Sequence, residues 1–507
     1  MKKHPICTEP DGLHLPSRVI DVSRMDEESL AIFCPTAKID YAALTHCWGG
    51  GKPFSTSSAN LALRSVAFDL AELPRTFQDA VKVTRRLGLR YLWIDSICIV
   101  QDSRDDWAKE SMKMGDIYAG SSVTIAATQA PNSETGFLRD REPSVRIQVA
   151  DRKNRQLTFG LLPPIPHNYN TWDSYPPQAS GARMTTRAWC FQERILSPRV
   201  LHFTKAEVVL VCRSQNKCEC HQDNLSEYDN NDLAYSMSPM ARELPLHTDF
   251  SNFWMSIVMD YTRGQLTVEM DRLPALAGVA RRMEKYSPGR YLAGMWEQGL
   301  ARQLPWFCSS DYGNACRLPE YAAPTWSWAS AKGDVLPFSI HDSYPFGRFK
   351  PVCTVVECRC VGVDGSPGSY GQVQSGFLRV KSRMFSLDDH LQYLDATKSP
   401  LIQILDTRVD SQVPCVTCYR LRRGPHVAYD GEPYPFCLML DSPLSDLTDM
   451  TGVFLLAVLE GSSPWSLGIA ALVLRPTNIA DTFTRIGMAK NCPKVWFQEP
   501  DRTITVI

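Results

Sequence analysis

The sequence predicts an α/β fold on a doubly wound parallel sheet, followed by a helical segment and a β-rich C-terminal region. Strand and helix signals alternate in the first third, and apolar residues then recur at helical spacing over residues 250–303. Short strand signals separated by turn residues fill the remainder. At 507 residues the chain exceeds one ordinary domain of roughly 150 residues, so at least two hydrophobic cores are expected.

The first strand and helix are predicted between residues 41 and 88. Residues 41–48 form a short apolar run that three glycines end, which indicates a strand followed by a loop. Pro74 suits the first turn of a helix, and Gly88 is expected to stop that helix.

The centre of the sheet is predicted at residues 91–100, which are apolar on both faces, as a strand buried by helices should be. Residues 103–106 can cap a following helix. We expect four residues of that helix to share one face: Trp107, Met114, Ile117 and Tyr118. Residues 123–128 then predict a further strand, which completes an alternating pattern.

The remaining boundaries follow from changes in composition. Turn-forming residues become more frequent over about 131–183, which predicts an insertion. The α/β pattern resumes at Arg187. The predicted divisions are an N-terminal extension at 1–36, the α/β domain at 37–220, a helical middle region at 221–323 and a β-rich region at 324–507. The clearest strands predicted in the last region are 376–382, 436–440, 452–459 and 468–474.

Charge and composition exclude several classes of protein. The 54 basic and 55 acidic side chains nearly cancel, so the chain lacks the basic field of a general nucleic-acid binder. No apolar run approaches the roughly 20 residues of a membrane helix, and no secretory signal opens the sequence. The 17 cysteines are odd in number and follow no repeated spacing, so reduced thiols in a soluble, cytoplasmic protein are expected.

Asp95 is the first candidate site residue. A carboxylate inside an apolar strand must be paired or protonated, because an isolated buried charge is costly. Its candidate partners are His46, near the end of the first strand, and Arg187, which opens a later helix. A purely structural buried pair remains an equal alternative.

A second candidate lies just after the predicted central strand, where open α/β sheets bind ligands. Trp107 and Glu110 are three residues apart on a helix, so their side chains are expected on nearly the same side, as an aromatic platform beside a carboxylate. The alternative is that Trp107 belongs to the core and Glu110 is solvated.

The cysteines offer weaker candidates. Cys212, Cys218, Cys220 and His221 form a cluster whose spacing matches no standard paired zinc knuckle, so reduced structural cysteines are favoured and no metal is predicted. Cys47 beside His46 could serve as a thiol nucleophile, a minority alternative to a buried structural thiol. Phosphate-loop, dinucleotide, zinc-protease and serine-hydrolase motifs are absent from the sequence.

Three ordered blocks resemble the fungal heterokaryon incompatibility (HET) domain family. They are residues 41–49 (YAALTHCWG), the segments 73–80 (LPRTFQDA) and 91–102 (YLWIDSICIVQD) with Asp106, Trp107 and Glu110, and residues 187–197 (RAWCFQERILS). Further positions, including 271–278, 291–296 and 324–330, are similar to the region that commonly follows the domain in these proteins.

The resemblance implies a fold and a function. HET domains resemble the Toll/interleukin-1 receptor (TIR) fold, which is a flavodoxin-like parallel sheet, and the family is associated with self/non-self recognition and programmed cell death. Some TIR domains cleave NAD+ with a glutamate in a W-x-x-E element, which Trp107 to Glu110 matches in spacing. By that analogy NAD+ is a candidate substrate, Glu110 acts at the ribose, and Trp48 or Trp107 stacks on a ring; no other cofactor is implied.

Two alternatives stand beside an NAD+-cleaving effector. One is a non-catalytic module that signals through HET/TIR-like self-association, as a homo-oligomer. The other is an enzyme of secondary metabolism that binds a small-molecule ligand, with His46, Cys47, Asp95, Arg187 and Glu193 as acid–base groups. Taken together, the candidate catalytic residues are Glu110, Asp95, His46, Arg187 and Glu193. The candidate substrate-binding residues are Trp48, Trp107, Asp102, Trp189 and Gln192.

Overall fold

The computed structural model divides into two compact units, Met1–Glu243 and Leu244–Ile507. It describes residues 4, 7, 14–23, 27–51, 54–139, 145–150, 155–161, 183–205, 207–214, 216–219, 250–287, 289–309, 316–338, 349–366, 368–388, 402–403, 419–421, 437–441, 452–461 and 468–507. None of the helices within those ranges combines the length and apolar character needed to cross a bilayer. Much of the predicted insertion at 131–183 lies outside the described residues.

The first unit is an α/β structure. Its strands are β1 (Val19–Asp21), β2 (Ser29–Phe33), β3 (Tyr41–Thr45), β4 (Phe68–Asp69), β5 (Tyr91–Trp93), β6 (Val123–Ala126), β7 (Val145–Ala150), β8 (Gln156–Leu161), β9 (Arg199–Phe203), β10 (Val208–Cys212) and β11 (Asn216–Cys218). Its helices are α1 (Leu61–Val66), α2 (Arg75–Arg86), α3 (Asp95–Cys98), α4 (Arg104–Gly120) and α5 (Ala188–Leu196), with 3-10 turns at Leu70–Glu72 and Arg183–Thr186.

Nine of these strands form one mixed sheet in the order β11-β10-β9-β6-β3-β5-β1-β2-β4. The central four, β9, β6, β3 and β5, run parallel to one another. The outer strands pair antiparallel on both sides. The prediction of an α/β fold is confirmed, but the expected wholly parallel sheet was wrong, because hairpin-connected strands extend the parallel centre at each side.

The helix boundaries follow from their capping residues. Helix α2 begins directly after Pro74 and ends before Gly88, whose φ of 73° is a left-handed conformation that glycine adopts without strain. Helix α4 begins after Ser103, whose hydroxyl accepts a hydrogen bond from the Asp106 amide. Phe77 of α2, Trp93 of β5 and Ile117 of α4 pack in the same fully buried core of the unit.

The central strand is shorter than predicted. It ends at Trp93, and α3 begins at Asp95, so Asp95 lies beyond the strand and is only half-buried. Its carboxylate accepts the amide hydrogen of Ser96 at 2.7 Å, and a carboxylate is favourable in the first turn of a helix. On helix α4, Met114, Ile117 and Tyr118 are buried, whereas Trp107, near the start of the helix, is 37% exposed.

The second unit begins with helices and short strand pairs and is β-rich afterwards, so the predicted β-rich C-terminal region is confirmed. Its helices are α6 (Phe250–Thr262), α7 (Ala277–Met283) and α8 (Leu300–Gln303), with 3-10 turns at Glu269–Asp271, Pro274–Leu276, Glu284–Tyr286, Trp328–Ser330 and Lys494–Trp496. Its short strand pairs are β12 (Tyr291–Leu292) with β13 (Met295–Trp296), β14 (Trp306–Ser309) with β17 (Asp334–Pro337), and β15 (Cys316–Arg317) with β16 (Ala331–Lys332).

Eleven strands form the main sheet of the second unit. They are β18 (Phe349–Pro351), β19 (Thr354–Gly362), β20 (Val373–Ser382), β21 (Met384–Ser386), β22 (Ile402–Gln403), β23 (Tyr419–Leu421), β24 (Cys437–Leu440), β25 (Phe454–Gly461), β26 (Ile469–Pro476), β27 (Thr482–Cys492) and β28 (Arg502–Val506). The sheet contains a buried ion pair between Arg485 of β27 and Asp441, which directly follows β24. The two side chains are 0% and 1% exposed, and the guanidinium lies over the Trp306 ring. The four predicted strands of this region correspond to β20, β24, β25 and β26.

Candidate functional site

The parallel strands of the first unit carry a cluster of ionisable side chains at their carboxyl ends. His46 directly follows β3, Asp95 lies two residues after β5, and Arg187 immediately precedes α5, which contributes Glu193. Helix α5 contacts both β3 and α4. Ligands of open α/β sheets bind in this position, because the loops after the parallel strands converge there.

His46 is buried and held by its surroundings. Its ring meets the Phe77 ring edge-on at 4.9 Å between centroids, and its main-chain carbonyl accepts a hydrogen bond from Arg187 Nη1 at 2.8 Å. Burial lowers the pKa of His46 to about 4; Asp95 opposes this shift and Arg187 adds to it. The imidazole is therefore neutral at pH 7. Its Nε2 atom has no hydrogen-bond partner within the described part of the chain.

Asp95 is tied to Trp48 as well as to its own helix. The Trp48 indole Nε1 donates a hydrogen bond to Asp95 Oδ2 at 2.8 Å, across the loops that follow β3 and β5. Both side chains are half-buried. This contact fixes the loop after β3 next to the carboxylate, and leaves Asp95 close enough to influence His46, Arg187 and Glu193 electrostatically.

Arg187 supplies the positive charge of the cluster. Burial by itself lowers the pKa of Arg187, but the neighbouring Cys190, Glu193 and Asp95 outweigh it and raise the pKa. The guanidinium therefore stays charged at every pH of interest. A fixed cation in a site of low water content can stabilise a phosphate or a developing oxyanion.

Glu193 is the group best suited to transfer a proton. Its side chain is 5% exposed, and burial together with Asp95 raises its pKa to about 7, against the opposing effects of Thr45, Arg187 and Tyr118. Both protonation states are thus populated at neutral pH. An acid–base group is most efficient when its pKa lies near the working pH.

Sequence reasoning missed three residues of this cluster: Thr45, Tyr118 and Cys190. Thr45 and Tyr118 hydrogen-bond with Glu193, and the Tyr118 hydroxyl donates to the Leu44 carbonyl at 2.9 Å. Burial, followed by Glu193, raises the pKa of the Cys190 thiol well above its usual value. Cys190 is therefore a neutral thiol. A signal was available for Cys190, which precedes Glu193 by three residues and so shares its face of α5.

The structure places Glu110 elsewhere. It is fully buried, and its Oε1 accepts hydrogen bonds from Ser17 Oγ at 2.6 Å and from Lys113 Nζ at 3.2 Å. The expected platform is not supported, because Trp107 is exposed whereas Glu110 faces the segment before β1. A substrate would have to displace covering residues to reach Glu110.

The other expected binding residues are dispersed. Asp102 is exposed and accepts two hydrogen bonds from Ser58, at 2.8 Å from its amide and 3.1 Å from its hydroxyl. Trp189 is half-buried and packs against the main core, and Gln192 is buried within α5. Of the five, Trp48 is tied to a member of the cluster by its hydrogen bond to Asp95.

The loop after β6 contacts the loop after β3, since the Ser133 hydroxyl donates a hydrogen bond to the Trp48 carbonyl at 3.4 Å. Asp79 Oδ2 accepts the amide hydrogens of Phe137 and Leu138 at 2.9 and 3.0 Å. Gly136 has a φ of 70°, and a Cβ there would lie 2.8 Å from the same Asp79 oxygen. The loop is therefore fastened to α2 by a carboxylate that only a glycine can approach so closely.

Part of the chain matches a known protein family. Residues 41–193 match the family model described as Heterokaryon incompatibility protein (HET). This range begins with β3, ends at Glu193, and contains His46, Asp95 and Arg187. Neither the curated proteins nor the solved structures include a match to this chain.

Proposed function

Because residues 41–193 match the heterokaryon incompatibility (HET) family model, we propose that this protein is an incompatibility effector that acts by acid–base chemistry at its strand-end cluster. Glu193 is the proton-transfer group, Arg187 pairs with an anionic oxygen of the substrate, and His46 and Asp95 set the electrostatics around them. The observation that carries this proposal is the pKa of about 7 of the buried Glu193 beside a fixed cation.

NAD+ is the first substrate to test. The resemblance to TIR domains implies it, and its pyrophosphate would suit Arg187. Both carboxyl groups are buried, but Glu110 is engaged by Ser17 and Lys113, whereas Glu193 lies among the ionisable groups at the strand ends, so we favour Glu193 as the carboxyl group that meets substrate. NAD+ cleavage then depends on Glu193, whereas Glu110 holds the segment before β1 through Ser17.

The test uses the purified full chain incubated with NAD+, with nicotinamide release followed by chromatography. Glu193→Gln should reduce the rate by about 100-fold or more, the usual contribution of an acid–base group. Glu134→Gln is the matched control, because Glu134 is an exposed carboxylate on the loop after β6. Loss of activity in Glu110→Gln with full activity in Glu193→Gln would refute the assignment to the cluster.

A cellular assay separates catalysis from self-association. Induced expression in a fungal host should arrest growth with the native chain and with Glu134→Gln, but not with Glu193→Gln. Arrest that persists in Glu193→Gln would instead support non-catalytic signalling. Inertness toward NAD+ together with normal growth would point to the alternative of a metabolite enzyme, to be sought by incubating the chain with metabolite extracts.

A further inference from the structure

A second cluster of ligating groups lies at the far side of the same sheet. It joins His4 and Cys7, near the start of the chain, to Cys212 at the end of β10. Their Nδ1 or Nε2, Sγ and Sγ atoms all lie within 4.8 Å of one another. Cys7 is buried, and the other two are half-buried. Neither cysteine forms a disulfide.

The distance between His4 and Cys212 matches tetrahedral coordination. An ion about 2.3 Å from a thiolate sulfur and about 2.0–2.1 Å from an imidazole nitrogen holds the two ligand atoms about 3.6 Å apart. The observed distance between Cys212 Sγ and His4 Nδ1 is 3.7 Å. The Ser214 hydroxyl lies 2.6 Å from the same nitrogen and 3.4 Å from the same sulfur, so it adjoins the fourth position.

The local backbone presents the ligands together. The Cys7 amide donates a hydrogen bond to the His4 carbonyl at 2.9 Å, which holds these two residues close together. Cys212 is the last residue of β10, where the strand turns toward β11. His4 and Cys212 are 208 residues apart in the sequence. The spacing of cysteines and histidines along the sequence could therefore not predict this cluster of three ligands.

The other residues of the C-x5-C-x-C-H pattern are less suited. Cys218 pairs with Val209, and side chains alternate along a strand, so Cys218 and Cys212 face opposite sides of the sheet. The Glu219 amide bonds to the carbonyl of Val208, four residues before Cys212 and roughly 13 Å from it at about 3.3 Å per residue. Cys220 and His221 lie outside the described residues.

We propose that His4, Cys7 and Cys212 bind one Zn²⁺ ion, with water or the Ser214 hydroxyl as the fourth ligand. Two thiolates and one imidazole suit zinc among the common divalent cations. Binding replaces the thiol protons of Cys7 and Cys212 by zinc–sulfur bonds, so two protons pass to solvent for each ion bound. The ion fastens the segment that precedes β1 to the hairpin at the other side of the sheet.

The experiment titrates the reduced, metal-stripped full chain with Zn²⁺ in competition with a chromophoric chelator. A histidine-free tag at the C-terminus avoids an artificial site near His4. We expect one ion per chain, with affinity at least 100-fold weaker in Cys7→Ser and in Cys212→Ser. That loss should exceed the ~10–100-fold cost of removing a residue that only orients a ligand. Cys34→Ser, at an exposed cysteine, is the control and should bind as the native chain does.

Two further readouts identify the ligands. Co²⁺ in place of Zn²⁺ should give thiolate charge-transfer absorption and strong tetrahedral visible bands, with weaker charge transfer in either cysteine variant. Zn²⁺ should also protect Cys7 and Cys212 from alkylation, as located by mass spectrometry, while Cys34 stays reactive. The proposal is overturned if the native chain binds no Zn²⁺, if Cys7→Ser and Cys212→Ser bind normally, or if only Cys218→Ser, Cys220→Ser or His221→Ala loses the ion.

Discussion

Replacing Glu193 by glutamine should change how stability depends on pH. The fold opposes ionisation of this carboxyl group, since burial and Asp95 raise its pKa from 4.5 to about 7. Glutamine has nearly the same shape, stays neutral at every pH, and can still hydrogen-bond with Thr45 and Tyr118. The substitution therefore removes the titration and leaves the packing largely intact.

The size and sign follow from proton linkage. Between pH 4.5 and 7 the unfolded chain releases the proton of residue 193 while the folded chain keeps it, so the native protein loses stability as the pH rises. A pKa rise from 4.5 to about 7, at about 1.36 kcal/mol for each pH unit, corresponds to about 3 kcal/mol. Glu193→Gln should gain that amount relative to the native chain between pH 4.5 and pH 7.

In the native protein, titration of His46 masks the pH dependence of stability that Glu193 causes. Its folded pKa of about 4 lies below its usual 6.5, so its contribution is present above pH 6.5 and is lost as the pH falls toward 4. The two contributions have opposite slopes over nearly the same interval and nearly cancel. Only the difference between the variant and the native chain isolates Glu193.

The assay is urea unfolding at several pH values from 4.5 to 8, followed by tryptophan fluorescence, for the native chain, Glu193→Gln and the control Glu134→Gln. The Glu193→Gln difference in the free energy of unfolding should rise by about 3 kcal/mol and then level off above pH 7. A difference that stays constant with pH would refute the reasoning. The control should show no such rise, because Glu134 is exposed.

Two further substitutions probe packing in each unit. Gly136→Ala should destabilise the first unit by about 1–2 kcal/mol from its positive φ alone, and by more because of the contact with Asp79, with faster proteolysis of the loop after β6. Gly88→Ala is its control, since it shares a positive φ but its Cβ would meet nothing within 4 Å, so an equal cost in the two variants would contradict the proposed contact. Asp441→Asn should destabilise the second unit by about 3–5 kcal/mol, because it leaves the buried Arg485 charge uncompensated. Calorimetry measures that loss, and an unchanged transition would show that the ion pair contributes little.

The alternating strands and helices of the first unit could be predicted from the sequence, because each strand or helix depends on local periodicity and capping residues. The strand at residue 91 and the helices after Pro74 and Ser103 form where local signals place them. The length of β5 was overestimated, since an apolar run reads alike as a buried strand and as a buried helical turn. Asp95 begins the buried helical turn. The apolar run contains no glycine or proline that would mark where the strand ends and the helix begins.

Sheet composition was harder to predict because strand pairing is not local. Strands β1 and β2 are 3 and 5 residues long, and nothing in their own sequence states that β1 lies between β2 and β5. For the site, chain order and resemblance named His46, Asp95, Arg187 and Glu193, which the structure brings together. The hydrogen bonds of Thr45 and Tyr118 with Glu193 depend on how α5 packs against β3 and α4. This packing is a tertiary contact, which cannot be predicted from local patterns in one sequence.

The antiparallel strands beside the parallel centre limit how the domain can be excised. A fragment cut to residues 41–193 would keep β3, β5 and β6 but lose β1 beside β5 and β9 beside β6. Both sides of the remaining sheet would then expose unpaired backbone amides and carbonyls in nearly apolar strands. Such edges promote aggregation of expressed fragments. A soluble version of this domain should therefore begin before Val19 and extend past Cys218.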